Sequence, residues 1–306
     1  MSDDDISEKT SIVTSDTFRG KLKAATDAPP TIVILMGPQG YVGKQWKIDS
    51  ADVVIGRSVN SPVFIDDPSV SKTHARISAN GNQITIVDLG STNKTIINNQ
   101  TLQPMTPYNL KNNDQIKTGN VIFKFLEQGN LEAAAHQELS QKANKDALTG
   151  ANSKGALLER APEAMKRAEF LNEDLAILVF DIDHFKKIND NYGHPGGDAV
   201  LKELGKIVST KVVRSQDYFA RYGGEEFVIL LPGSNEKSAI EVGERVRTTI
   251  ESAKFEYEGK TIPVTISVGV AIKKNTDTDW GVLFQRADEA LYSSKKSGRN
   301  KVTAAA

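Results

Sequence analysis

The chain contains no cysteine, which excludes a disulfide framework and thiolate metal sites. It also has no apolar run approaching the ~18 residues of a membrane-spanning helix. The opening MSDDDISEKT lacks the basic and apolar regions of a secretory leader. A soluble cytoplasmic protein with no membrane partner is therefore the expectation. An excess of one charge is missing too: 38 Lys and Arg stand against 39 Asp and Glu, net −1. That balance gives no global pull toward nucleic acid. No basic groove lined with stacking rings suggests such a partner either.

What is present is enough chain for about two domains, 306 residues. Residues 1–30 are rich in Ser, Thr, Asp and Lys and show no period of 2 or 3.6, so they read as a flexible tail. From Thr31 to Leu126, the runs TIVILM, VVIG, ARIS, QITIVDLG, TIINN and VIFKFL are short, apolar and separated by turn signals. That texture predicts an all-β sandwich over 31–126. Good helix formers follow in LEAAAHQELSQKANKDAL, predicting a connecting helix over 127–145. Its apolar face (Leu131, Ala135, Leu139) is thin, so a second copy of the chain would support it. From 146 to 306 helices alternate with strands, predicting an α+β domain with a largely antiparallel central sheet.

Two segments of this second half carry acids beside apolar strands. LAILVFDID places Asp181 and Asp183 two residues apart at a strand end, on one face. RYGGEEFVILLP places Glu225 and Glu226 after Gly223 and Gly224, which read as a two-residue hairpin turn. If the strands are neighbours, three carboxylates converge. At ~4 Å and an effective dielectric of 20, each pair repels by about 4 kcal/mol. Such a cluster needs protonation or a cation. All-oxygen ligands suit Mg²⁺, which takes one or two carboxylates together with substrate phosphates. The glycines leave room for a ligand against the backbone. A solvated hairpin turn is the plain alternative for either segment by itself.

RYGGEEF, FDIDHFKKIND, DALTG at Asp146 to Gly150 and ADEALYSSKKSGRN, in their order, resemble the GGDEF family of diguanylate cyclases over residues 146–303. The resemblance implies condensation of two GTP into cyclic di-GMP at the interface of two GTP-loaded domains, hence a homodimer. It implies that Asp181, Glu225 and the Ile182 carbonyl hold two Mg²⁺ per site, Mn²⁺ being an alternative, with Glu226 in support. Lys186, Lys295 and Arg299 match phosphate-binding cations, and Asn189 and Asp198 match guanine-reading positions. A carboxylate at 198 can accept from guanine N1–H and the 2-amino group together, which favours GTP over ATP. Arg214 and Asp217 in RSQD fit the family's inhibitory product site, with Arg245 as a further contact. The plain reading of that pair is a surface ion pair. One departure lies after DALTG, where TGANSKGAL has Ala151 and Lys154-Gly155 in place of the usual Leu and basic pair.

GRSVN, SVSKTHARI and VDLGSTNKTIINNQ resemble a forkhead-associated (FHA) domain over residues 31–126. The resemblance implies a β-sandwich that reads phosphothreonine through Arg57, Ser71, Thr92 and Asn93, beside Gly56. His74 reads as a structural residue bracing loops. Lys94 stands where the family usually has glycine. Thr10, Thr14, Thr17 or Thr26 of the tail, once phosphorylated by an upstream Ser/Thr kinase, would offer a tethered ligand. The combined expectation is a cyclase regulated by phosphopeptide recognition and by its product. The alternatives are a catalytically silent cyclic di-GMP receptor and a phosphopeptide-dependent adaptor.

Overall fold

The computed structural model describes residues 28–306 apart from Gln39, Ser50, Ala51 and Asn82. The four tail threonines lie outside the described residues. The chain divides into two compact units, one ending at Leu139 and the other running from Ser140 to Ala306.

The first unit is built from β1 (Thr31–Met36), β2 (Gln45–Lys47), β3 (Asp52–Gly56), β4 (Val63–Phe64), β5 (Ala75–Asn80), β6 (Gln83–Asp88), β7 (Thr95–Ile97), β8 (Gln100–Thr101), β9 (Tyr108–Asn109), β10 (Gln115–Thr118) and β11 (Val121–Leu126). They form two sheets, ordered β2-β1-β11-β10-β7-β8 and β4-β3-β5-β6-β9. Alternate residues point inward, as the period of a strand requires: Ala75 and Ile77 on β5, Ile84 and Ile86 on β6, Val121, Phe123 and Phe125 on β11. They join Ile32, Ile34 and Ile55 in one core between the sheets. This is the expected β-sandwich. Helix α1 (Leu131–Asn144) follows, started by the Asn130 side chain, which accepts from the amides of Glu132 (2.8 Å) and Ala133 (3.3 Å). Leu131 and Leu139 are each 65% exposed, so the helix's apolar face is uncovered there.

The second unit holds α2 (Lys154–Leu171), β12 (Leu175–Ile182), α3 (Phe185–Ile207), β13 (Tyr218–Gly223), β14 (Glu226–Pro232), α4 (Glu236–Glu251), β15 (Phe255–Tyr257), β16 (Lys260–Ile262), β17 (Ile266–Ile272), α5 (Trp280–Lys296) and β18 (Val302–Ala304). The central sheet runs β13-β14-β12-β17-β18 and is antiparallel except between β17 and β18. Every residue of β12 is buried, because both sheet faces are covered. Ala176, Leu178, Phe180 and Ile182 enter a core with α3 and α4 residues such as Leu204 and Val246. Leu175, Ile177 and Val179 enter a second core with Leu157 of α2 and Leu283 of α5. Fully burying one such side chain contributes about 1.5–3 kcal/mol, which explains the near-continuous apolar run.

The expected Gly223-Gly224 turn needs correction. The hairpin turn is Gly224-Glu225, since Gly223 pairs with Glu226 in the ladder. An extra residue, Tyr222, bulges from β13 between Arg221 and Gly223, and this shifts the register. Pro263, which lacks a ladder donor, lies in the gap between β16 and β17. Helix α3 breaks at Gly193, where φ is 70° and ψ 169°, and DAVLKELGKI lies on its second arm.

Candidate functional site

Alternation along β12 brings Asp181 out on the same face as Val179, the α5 side. Directly across the ladder is Glu226. Like charges opposite each other in a sheet are destabilising, and Lys295 of α5 answers them: its Nζ lies 3.0 Å from Asp181 Oδ2. Burial pushes the Asp181 carboxyl up to about 6. Lys295 opposes that shift, and the negative charges of Glu225 and Glu226 reinforce it. Among the described residues no protein donor bonds either glutamate carboxylate. A Cβ added at Gly223 or Gly224 would meet nothing within 4 Å, and Gly224 has φ +44°. The hairpin tip is thus open, and its two glutamate side chains face no bonded donor among the described residues.

The three acids do not form a tight cluster. No group of three or more His, Cys, Asp or Glu among the described residues has metal-holding geometry. Lys295 pairs with the buried one, Asp181. What remains fits a hard cation: a half-paired buried carboxylate, a carboxylate without a donor at Glu225, and open backbone beside them. Asp183 does not join the set. It accepts from Thr265 Oγ1 (2.8 Å), Ser267 Oγ (2.7 Å) and the Asn300 amide (3.0 Å), which makes it an anchor for the strand ends.

Residues with no assigned role in the sequence reading hold the hairpin in place. The Arg221 guanidinium donates to the Gly224 carbonyl from Nε (2.9 Å) and a terminal nitrogen (2.7 Å), and its other terminal nitrogen meets Asp146 at 3.1 Å. Asp146 also accepts from the Thr149 amide and hydroxyl. Burial raises its carboxyl, but the Thr149 and Arg221 bonds outweigh this and hold it below the usual range. DALTG is therefore a loop tied to the acidic turn. On the other side, Lys154 Nζ sits 4.0 Å over the Tyr222 ring, and Tyr222 stacks on Phe284 of α5 at 4.6 Å. The unusual segment after DALTG packs on the bulged residue. The adjacency of Arg221 and Tyr222 to the glycines was the only available signal.

The break in α3 folds its two arms together. The Asn189 side chain lies against Gly197 so closely that a Cβ there would overlap it. This sets Asn189 beside the start of the arm that carries the exposed Asp198. Lys186 is exposed in the first turn of α3. Arg299 has φ +65° in the loop after α5, next to the Asn300 amide that holds Asp183.

In the sandwich the expected phosphopeptide residues meet through Ser71. The Arg57 amide donates to the Ser71 carbonyl at 2.9 Å, and the Thr92 amide donates to Ser71 Oγ at 3.1 Å. Arg57 Nε bonds the Val70 carbonyl (3.3 Å), and Asn93 Nδ2 bonds the Ser69 carbonyl (2.8 Å). Gly56 is required, because a Cβ there would strike the Lys72 carbonyl. His74 is fully buried. Its Nδ1 accepts from the Ser71 amide and its Nε2 donates to the Lys94 carbonyl, both at 3.1 Å, which selects the neutral Nε2–H form. Burial lowers its pKa, against the pull of the Lys94 carbonyl and Asp88. Asp88 gathers Gly90, Ser91 and Thr95 and fixes the next loop.

The family model described as "Diguanylate cyclase, GGDEF domain" matches residues 143–301. The chain belongs to the GGDEF family. The FHA domain model matches residues 53–119. The diguanylate cyclase DgcP of Pseudomonas aeruginosa is 39% identical over 169 residues, 55% of this chain and 25% of that protein. Diguanylate cyclase A of Treponema denticola is 48% identical over 132 residues, 43% of this chain and 35% of that protein. The chain thus spans about a third or less of either relative. The crystal structure of the GGDEF domain of DgcB from Caulobacter crescentus in complex with c-di-GMP aligns with TM-score 0.51 and 33% identity. It covers 53% of this chain and 95% of that one.

Within the GGDEF domain, Arg214 and Asp217 are joined to each other. A terminal nitrogen of Arg214 lies 2.9 Å from Asp217 Oδ1 and another bond reaches Ser234 Oγ at 3.1 Å. The Asp217 carboxylate is fully covered, while Arg214 stays about half exposed. Arg245 of α4 donates to the Val212 carbonyl at 3.1 Å. No helix among the described residues is long and apolar enough to cross a membrane.

Proposed function

We propose that the GGDEF domain condenses two GTP into cyclic di-GMP. In each half-reaction the 3′-hydroxyl oxygen of one GTP bonds to the α-phosphorus of the other, and pyrophosphate leaves with the broken bond's electron pair. The observation that carries this reading is the buried Asp181 beside the open, donor-poor Gly224-Glu225 turn. Asp181, Glu225 and the Ile182 carbonyl would hold divalent cations, two Mg²⁺ or Mn²⁺ per site. When bound, the metal lowers the pKa of the attacking hydroxyl and offsets phosphoryl charge. Lys295, which lies 3.0 Å from Asp181, would with Lys186 and Arg299 offset the charge of the triphosphate. Asn189 and Asp198 read guanine. Two GTP-loaded domains face each other, so the working state is a homodimer.

The FHA domain binds a phosphothreonine peptide through Arg57, Ser71, Thr92 and Asn93, supplied by a partner or by the chain's own tail after kinase action. This recognition regulates the cyclase. Arg214 and Asp217 serve as a product site, since the exposed edge of the Arg214 guanidinium can grip guanine or phosphate while Asp217 keeps it oriented.

The test is incubation of the full chain with Mg²⁺ and either GTP or ATP, with the nucleotides resolved by chromatography. Cyclic di-GMP from GTP and no dinucleotide from ATP is the expected result. Intact GTP after the phosphorylated chain has been freed of carried-over cyclic di-GMP would favour a receptor or adaptor.

A further inference from the structure

Lys94 lies in the left-handed region at φ +58°, a conformation that disfavours residues with a side chain relative to glycine. The position is held there by the buried His74, whose Nε2 donates to the Lys94 carbonyl while its Nδ1 holds the Ser71 amide. The backbone of residue 94 is therefore fixed relative to Ser71, and through Ser71 to Arg57. Lys94 follows Asn93, which bonds the Ser69 carbonyl, and both residues are exposed. Lys72, also exposed, directly follows Ser71 in the chain, and its carbonyl receives the Ser58 amide. Among the described residues, neither Lys94 nor Lys72 forms a salt bridge. Arg57 is exposed as well, with only Nε committed.

A single phosphothreonine needs one charged fork and the hydroxyls and amides around it. Here two further cations stand beside that set without acidic partners, one of them on a strained backbone that a glycine would relieve. A strained site that presents a charge indicates a use for the charge.

We infer that Lys94, with Lys72 behind it, forms an anion subsite that selects phosphothreonine peptides carrying a second acidic group, a carboxylate or another phosphate, adjacent to the phosphothreonine. The inference rests on phosphopeptide binding by the FHA domain. Lys94 is a specificity residue, and Arg57 remains the primary phosphate contact.

The experiment is titration of the full chain with two synthetic phosphothreonine peptides that differ only in Asp against Asn beside the phosphothreonine. The proteins are wild type, Lys94→Gln, Lys94→Arg and Arg57→Ala. Wild type is expected to bind the Asp peptide about twofold to fivefold more tightly, the range of an exposed ion pair, with the preference shrinking at high salt. Lys94→Gln should erase the preference while still binding the Asn peptide as wild type does, and Lys94→Arg should keep it. Equal affinity of wild type for both peptides, or a preference that survives in Lys94→Gln, overturns the subsite alone. No binding of either peptide by wild type, with its melting transition intact, overturns the phosphopeptide reading and the subsite with it.

Discussion

The two candidate sites are organised on opposite principles. In the sandwich, buried and fully hydrogen-bonded groups hold the loops: neutral His74 uses both ring nitrogens, the Asp88 carboxylate gathers three neighbours, and the expected binding residues left exposed include the cations Arg57 and Lys94. In the GGDEF domain, charges of one sign are brought together by the sheet register and only partly answered: Asp181 faces Glu226, Lys295 pairs with Asp181, and Arg221 is spent on the Gly224 carbonyl and Asp146. On the proposed reading the first site is satisfied before its ligand arrives and would take an anion, whereas the second carries repulsion that a bound cation would relieve.

The comparison is broken most severely at the hairpin. Chelation of divalent cations should remove GTP condensation altogether, and Asp181→Asn should lower it at least about a hundredfold, because several kcal/mol of charge stabilisation is lost. Stability should move the other way. The folded Asp181 carboxyl titrates at about 6, above its ordinary value of 3.8, so the folded state holds the proton more tightly than the unfolded one between those limits. Without metal, the domain should lose stability as pH rises from about 4 to 6, by up to about 3 kcal/mol. Asp181→Asn should remove that slope in urea titrations followed across this range.

At the sandwich, Arg57→Ala should weaken phosphopeptide binding by about tenfold or more, the loss of charge-assisted bonds, with little change in melting temperature. His74→Ala should do the reverse first. It leaves the Ser71 amide and the Lys94 carbonyl without partners and should cost about 2 kcal/mol of stability. The depressed His74 pKa predicts that the wild-type sandwich loses stability as pH falls below about 6.5, because the unfolded histidine takes the proton first. Calorimetry of wild type and His74→Ala at pH 5 and 7.5 checks both. The smallest effect is expected at Lys154, where Lys154→Ala removes an exposed cation–π contact with Tyr222 worth about 0.5–1 kcal/mol.

Much of this architecture was legible in the residues. Period-2 alternation in ARIS and QITIVD, and the unbroken LAILVFDI run, follow directly from one-sided and two-sided burial. The meeting of Asp181 and Glu226 across the ladder could be anticipated because two apolar runs abut charge, but the expected convergence of all three acids was not met. The structure's finer devices could not be read in this way. The bulge at Tyr222 moves the turn to Gly224-Glu225, and no local propensity marks a bulge when glycine follows on both counts. The Arg221–Asp146 tie joins residues 75 positions apart, and its signal in one chain is an ordinary arginine. Lys295 answering Asp181 depends on how α5 crosses the sheet, which no spacing in the sequence encodes.

The central claim is that the carboxylate of Glu225 is held for a cation and serves GTP condensation. The most direct measurement follows cyclic di-GMP formation from GTP by the full chain across a Mg²⁺ titration, with Glu225→Ala alongside and the melting transition of both proteins recorded. The account predicts saturable Mg²⁺-dependent product from wild type and none from a Glu225→Ala chain that melts normally. Equal product from both, or product from wild type at every Mg²⁺ level including none, would contradict it.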